Sequence, residues 1–368
     1  MRSPRTFEAI NVVLQAFKSC VPYPCSGEHA LGAAQGSCGA FQSRCVSLPA
    51  LVLAGLGGMD LCVTIKGVSF LLQTGMGILG NTVVLLAYAS ILYGERKLVP
   101  VDMILCHLAF ANLMILTIRC IPQTMTVFGL TDLLDDTHCK VVIYGYRIGR
   151  ALSICITCML SVFQAVTIAP AGSSLSRLKS FLPALVLPTV AGLWLLNMII
   201  YVPALLFSTA PRNSTARTFT LNLGFCFMDF RDSMLYIIQG VIVSGRDFSV
   251  VALMLVSSCY ILLLLHRHSY QMRGLRRSHP AKTRAAKTVV TLVVLYVFFF
   301  GVDNVIWIYM LTEAKVSLMV ADLRVFCSSC YAFLSPYFII SSNKKVKNKI
   351  VCQAEQDQPA SMDTQESK

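Results

Sequence analysis

Long apolar blocks separated by short polar stretches run from residue 68 almost to the end of the chain. Seven are of membrane length, at about 68–92, 101–127, 139–169, 182–207, 235–265, 286–311 and 319–341. A run of about 20 apolar residues matches the thickness of a bilayer's hydrocarbon core. The apolar positions fill these blocks instead of recurring at amphipathic spacing. No backbone group can stay unpaired in lipid, so each block predicts a helix. The pattern predicts an all-α membrane protein, a seven-transmembrane helix bundle over 66–343, preceded by a segment 1–65 and followed by a tail 344–368.

Composition agrees. Of 368 residues, 55% are hydrophobic and only 13% are charged, about half the charged share of a soluble domain. The net charge of +13 does not point to nucleic acid, because the basic residues sit in the short segments between blocks, where they set topology. Arg96 and Lys97, Arg177 and Lys179, the run Arg267 to Lys287, and Lys344, Lys345, Lys347 and Lys349 put fifteen Lys and Arg on one side. The alternate loops hold four, with Asp132, Asp135 and Asp136 nearby. This bias predicts a cytoplasmic tail and an external N-terminus. A glycosylation sequon at Asn213-Ser214-Thr215 falls on the side assigned as external.

The first 65 residues follow no such pattern. They hold Cys20, Cys25, Cys38, Cys45 and Cys62. The apolar run 46–58 is too short to span and wrongly placed for a signal peptide. Met59 stands just before the first block as an alternative start, and residues 1–58 carry no functional reading.

The chain has 15 cysteines. Cys139 opens the third block at its outer end, and Cys226 lies in the long loop between blocks four and five. A disulfide is permitted on the outside and would pin that loop over the bundle, although spacing alone sets no connectivity. Cys155-Ile-Thr-Cys158 and Cys327-Ser-Ser-Cys330 have the form of metal or redox pairs, but both lie inside apolar blocks and read as packing residues. His266-Arg267-His268 reads as a surface and topology cluster. The chain has no phosphate loop, nucleophile elbow or HExxH motif, so no enzyme class and no cofactor is predicted.

The charges inside the blocks are more informative, because charge at membrane depth is costly. Six stand out: Arg119, Arg147, Arg150, Arg246, Asp247 and Asp303. At 1.5 Å per residue, Arg147 and Arg150 lie about 12 and 17 Å below Cys139. All six fall in the middle or outer half of the bundle. Two readings compete. Either they pair among themselves, as Arg150 with Asp303, and hold helices together, or they line a pocket open to the outside. Four positive against two negative charges leaves a surplus that favours the pocket and a small anionic or electron-rich organic ligand. The far end of block three, Phe163-Gln164-Ala165, is neutral.

Seven helices with an external N-terminus and a possible tether from helix three to the second external loop resemble a rhodopsin-like G-protein-coupled receptor. Gly80-Asn81, Trp194 and Tyr260 match that pattern, whereas Asn112 stands where the pattern usually has Asp. Phe163-Gln164-Ala165 replaces the Asp-Arg-Tyr triplet, and Ser335-Pro336-Tyr337-Phe338-Ile339 replaces Asn-Pro-x-x-Tyr. Helix six has Phe298-Phe299-Phe300-Gly301-Val302-Asp303 in place of Cys-Trp-x-Pro. With SVFQAVTIAP (161–170), SSCYILLLLHRHSYQMRGL (257–275) and AKTVVTLVVLYVFFFGVDNVIW (286–307), these departures resemble vomeronasal type-1 receptors. MDLCVTIKGVSFLLQTG from Met59 and the run Tyr146–Ala151 resemble the fish members, the class-A-related olfactory receptors. The resemblance covers about 59–345.

The resemblance implies a plasma-membrane receptor for pheromones or small odorants, acting through an inhibitory-type heterotrimeric G protein. The ligand side then holds Arg147, Arg150, Tyr146, Arg246, Asp247, Asp303 and Arg119, and the G-protein side holds Gln164 and Tyr260. Asn112 implies weak sodium modulation. The tail around Cys352 would lie along membrane lipid, with Cys352 open to palmitoylation. A bitter-taste-like receptor is the rival within receptors. A small transporter is the rival outside them, and the chain shows no inverted repeat to support it.

Overall fold

The computed structural model describes residues 61–130, 134–170, 172–210, 220–222, 225–230, 233–271, 280–312 and 318–356. Asn213 and residues 1–58 therefore lie outside the described residues. The chain divides into two compact units, Met1–Ser69 and Phe70–Lys368. The described part of the first unit is 61–69, the opening turns of helix one.

Seven described helices are long and apolar enough to cross a membrane. Helix one is Leu61–Glu95, helix three Asp136–Ile168, helix five Ser233–Gln271, helix six Pro280–Thr312 and helix seven Leu318–Ser342. Helix two runs as Pro100–Ile115, a wider π turn Leu116–Cys120, then Ile121–Val127. Helix four runs as Leu182–Ile200 and, after a break at Tyr201, Val202–Phe207. A further helix, Lys344–Gln356, follows helix seven. Cys352 lies on it.

The chain explains where these helices start and bend. Asp135 begins helix three by accepting the backbone N–H of His138 at 2.8 Å, the usual role of an N-cap aspartate. Pro100, Pro122 and Pro183 sit in the first turns of their helical pieces, where a missing N–H costs nothing. Pro336 lies inside helix seven and cannot bond the carbonyl of Ala332. Asn81 fills the gap from helix one, donating Nδ2 to Ala332 O at 3.0 Å and to Gly77 O at 2.8 Å. Gly80 lets the two helices approach this closely, since a Cβ there would stand 3.0 Å from Pro336 Cγ.

Helix three is the central helix of the bundle. Inside its most apolar window 78% of the residues are buried, against 22% for helix four. Its buried face includes Leu152, Ile154, Ile156 and Leu160, each at most 1% exposed. Helix four turns Leu187, Leu195 and Ile199 outward instead, as a lipid-facing helix does.

Between helices four and five the chain forms a small antiparallel sheet of order β1-β3-β2, with β1 Ser208–Thr209, β2 Thr220–Asn222 and β3 Phe227–Asp229. Met228 pairs with both Ser208 and Leu221. The apolar blocks predict helices alone. The sheet packs onto the bundle through Phe225, Cys226, Met228 and Phe230, all buried.

Candidate functional site

A disulfide joins Cys139, at the start of helix three, to Cys226, just before β3. Phe225, Cys226, Met228 and Phe230 pack with Cys139, Ile143 and Ala204 into one apolar cluster. Asp136 Oδ1 accepts the N–H of Ala210 at 2.8 Å. The ribbon is thus fixed across one end of the bundle, the disulfide end.

The charged residues under the ribbon are held in different ways. Arg246 is committed. Its Nη1 donates to Asn197 Oδ1 at 2.7 Å, and its Nη2 to Tyr201 OH at 2.7 Å and Asp247 Oδ1 at 2.6 Å. Arg246, steadied by Asp247 beside it, therefore ties helix five to the break in helix four. Arg150 Nη2 meets Asp303 Oδ2 at 2.6 Å, so the pairing weighed from the sequence is present. Asp303 Oδ1 also takes Arg324 Nε at 3.0 Å. One carboxylate, its side chain 4% exposed, thus joins helices three, six and seven.

Arg119 lies in the π turn and is 5% exposed. Its guanidinium stands 4.7 Å from the Phe225 ring centroid and 5.6 Å from that of Tyr146, within cation–π range. The extra residue in a π turn shifts the residues that follow by about 100° around the axis, a change that apolar patterning does not announce. Arg147 donates Nη2 to Met228 Sδ at 3.4 Å and lies 6.0 Å from the Tyr201 ring centroid. Among the described residues it meets no carboxylate.

The sequence count of six interior charges is too low. Arg324 and Asp322 lie in helix seven and Asp102 in the first turn of helix two. Asp322 accepts from Gln123 Nε2 at 3.1 Å. Asp102, 7% exposed, accepts from Asn343 Nδ2 at 3.1 Å at the opposite end of the bundle, so the interior charges are not confined to the middle and the disulfide end. The signal for Arg324 was in the string Ala321-Asp322-Leu323-Arg324, inside the seventh apolar block.

A cavity of about 30 Å³ borders the Arg150–Asp303 pair, lined by both of them and by residues that include Ser153, Tyr296, Ser328 and Tyr331. It has room for a water molecule or two, far below the volume of an organic-ligand site. The next polar links are neutral. Asn112 accepts from Ser153 Oγ and donates to Ser335 Oγ, both at 2.8 Å, linking helices two, three and seven. Thr157 Oγ1 and Tyr331 OH lie 2.7 Å apart. At the far, basic end Ala165, Ile261 and Ala286 form an apolar cluster, with Tyr260, Ile168 and Val290 packed against it. Gln164 is 4% exposed beside Ala165. Helices three, five and six are closed together there. Cys155, Cys158, Cys327 and Cys330 are all buried inside helices.

A helical bundle with a disulfide-tethered ribbon over a charged interior at one end, and a packed helix three–five–six junction at the other, has the architecture of a G-protein-coupled receptor. The family model described as the vomeronasal organ pheromone receptor family matches residues 64–352. The chain is 64% identical over 297 residues to olfactory receptor class A-like protein 1 of Danio rerio, covering 80% of this chain and 94% of that protein. It is 32% identical over 289 residues to human vomeronasal type-1 receptor 1, covering 76% and 81% of the two chains. It is 30% identical over 279 residues to human vomeronasal type-1 receptor 4, covering 74% and 93%. The chain belongs to the vomeronasal type-1 receptor family, and so is a multi-pass chemosensory receptor and not an enzyme.

Proposed function

We propose that this receptor binds a small organic anion at the disulfide end, facing outward from the plasma membrane, and activates an inhibitory-type G protein at the basic end. The observation that carries this reading is Arg147. Its guanidinium sits under the ribbon with a thioether as its hydrogen-bond acceptor. A thioether accepts weakly, whereas a carboxylate or sulfate matches the guanidinium's fork of donors. Tyr146, Tyr201 and Phe225 supply aromatic wall beside Arg147 and Arg119. Arg150 and Asp303 lie deeper. Arg246 and Asp247 shape the wall through helix four.

The tail and the basic loops lie in the cytoplasm, and the N-terminal segment and glycosylated Asn213 lie outside, as the uneven distribution of Lys and Arg argues. The helix Lys344–Gln356 rests on the membrane, anchored through a palmitoylated Cys352. Agonist binding shifts the population toward an arrangement that widens the ligand site and parts the cluster around Tyr260, Ala165 and Ala286, exposing Gln164 to the G protein.

The test is agonist-dependent nucleotide exchange on a co-expressed inhibitory-type G protein, using paired small organic acids and their uncharged esters. Acids activate and esters do not, and Arg147→Gln removes the difference. Esters matching the acids would overturn the anionic reading. An epitope at the C-terminus that is labelled on intact cells would overturn the orientation.

A further inference from the structure

The Asp303 cluster has an imbalance that the receptor reading leaves unused. One carboxylate serves two guanidiniums, from Arg150 of helix three and Arg324 of helix seven. Each arginine gives it a single nitrogen, Nη2 from Arg150 and Nε from Arg324. A guanidinium carries five N–H donors in a planar fork. The side chains of Arg150 and Arg324 are 32% and 25% exposed, whereas that of Asp303 is 4% exposed. The carboxylate is thus shielded while both cations keep an accessible side with donors to spare.

We propose that Asp303 is the resting counter-ion of a two-arginine seat formed by Arg150 and Arg324, and that the ligand's anionic group takes over that seat and frees helix six. This rests on the anionic-ligand reading and extends the anion's contacts from Arg147 to Arg150, about one turn along helix three, and to Arg324 of helix seven. With Asp303 in place, helices three, six and seven are held by one side chain. An incoming anion supplies the arginines with the charge Asp303 now supplies, so the tie no longer favours the closed arrangement. The displaced carboxyl has somewhere to turn. The cavity that Asp303 borders is also lined by Tyr296, Ser153 and Tyr331. Helix six also carries Ala286 and Val290 of the cluster that closes the basic end. Loosening helix six therefore reaches both the ligand site and the junction that must part.

The experiment uses the full chain without any ligand and reads basal nucleotide exchange per surface receptor. Asp303→Asn, Arg150→Gln and Arg324→Gln each weaken the tie. Each raises basal exchange by about threefold or more, the scale expected when a minor state populated at about 0.1–10% is released from a restraint. The exchange of charges in Arg150→Asp with Asp303→Arg restores a helix three–helix six pair and returns basal exchange toward that of the wild type. If Asp303→Asn does not reach the surface, the two arginine variants decide the matter. Wild-type basal exchange in every variant that reaches the surface would overturn the proposal. The outcome is separable from the ligand reading. Should basal exchange rise while hexanoate and its methyl ester act equally on the wild type, the tie stands and the anionic ligand falls. Should hexanoate alone act while basal exchange stays unchanged, the anionic ligand stands and the tie falls.

Discussion

The two halves of this bundle solve the problem of buried polar groups differently. Toward the disulfide end, polar side chains carry full charges. Asp303 joins three helices through Arg150 and Arg324, and Arg246 locks helix five to helix four. Toward the basic end most buried links are neutral, the exception being Asp102, which accepts from Asn343. Asn112 binds two serines, Asn81 caps the carbonyl that Pro336 leaves open, and an alanine-rich contact around Ala165 closes helices three, five and six. Neutral links cost less to desolvate and hold helices in register. Charged links cost more in the membrane and are the ones a charged ligand can exchange. The contrast assigns recognition to one half and register to the other.

The largest effect should come from cutting the tether that separates the charged half from its surroundings. Cys226→Ser removes the disulfide and releases the ribbon that carries Phe225 and Met228 over Arg119 and Arg147. Loss of such a bond costs about 2–5 kcal/mol, so surface receptor measured by flow cytometry should fall to near background. Normal surface levels with normal ligand response would mean the ribbon plays no part in the site.

Arg147→Gln tests the recognition half directly. We expect about a tenfold or greater loss of potency for acidic agonists, roughly 1.4 kcal/mol or more, with surface levels preserved because Arg147 joins no ion pair among the described residues. A fall in surface receptor with unchanged potency would make this half structural, and the contrast would collapse.

The register half is probed by Asn112→Leu. It strands the hydroxyls of Ser153 and Ser335 in a fully buried position. The expected loss is about 1–3 kcal/mol of stability, read as a lower melting temperature in detergent, with agonist potency retained in the receptor that folds. A selective loss of potency would show that ligand contacts reach this layer.

The smallest effect concerns the start of helix three. Asp135 accepts the backbone N–H and the ring of His138, and these bonds hold its carboxyl below the usual carboxylate range. A depressed carboxyl stabilises the fold above its ordinary pKa and loses that contribution as pH falls through the folded value. The stability gap between wild type and Asp135→Ala, measured by melting temperature, should be present at neutral pH and close on acidification. A gap that did not change with pH would show that the cap works without its charge.

Much of this architecture was legible in the chain. Seven apolar blocks require seven helices, because lipid offers backbone groups no other partner. Arg147 and Arg150 announced themselves by cost. Arg324 and Asp322 carry the same signal inside the seventh block; with them and Asp102 the interior holds five positive and four negative charges, so the surplus is one and not two. The π turn before Pro122 and the ribbon before helix five left no periodic signature, since each is only a few residues long and is set by packing.

By itself, the sequence determined the membrane class, the number of helices, the family and the residues whose charge needs an explanation. These follow from composition, run length and local strings, which act over one or two helical turns. Only the tertiary structure decided which charge meets which. Arg150 and Asp303 stand 153 positions apart, and Asn81 and Ala332 stand 251 apart. Such partners are chosen by how helices rotate and cross, a property of the whole packed bundle. That choice gave Asp303 two arginines and left Arg147 with a thioether.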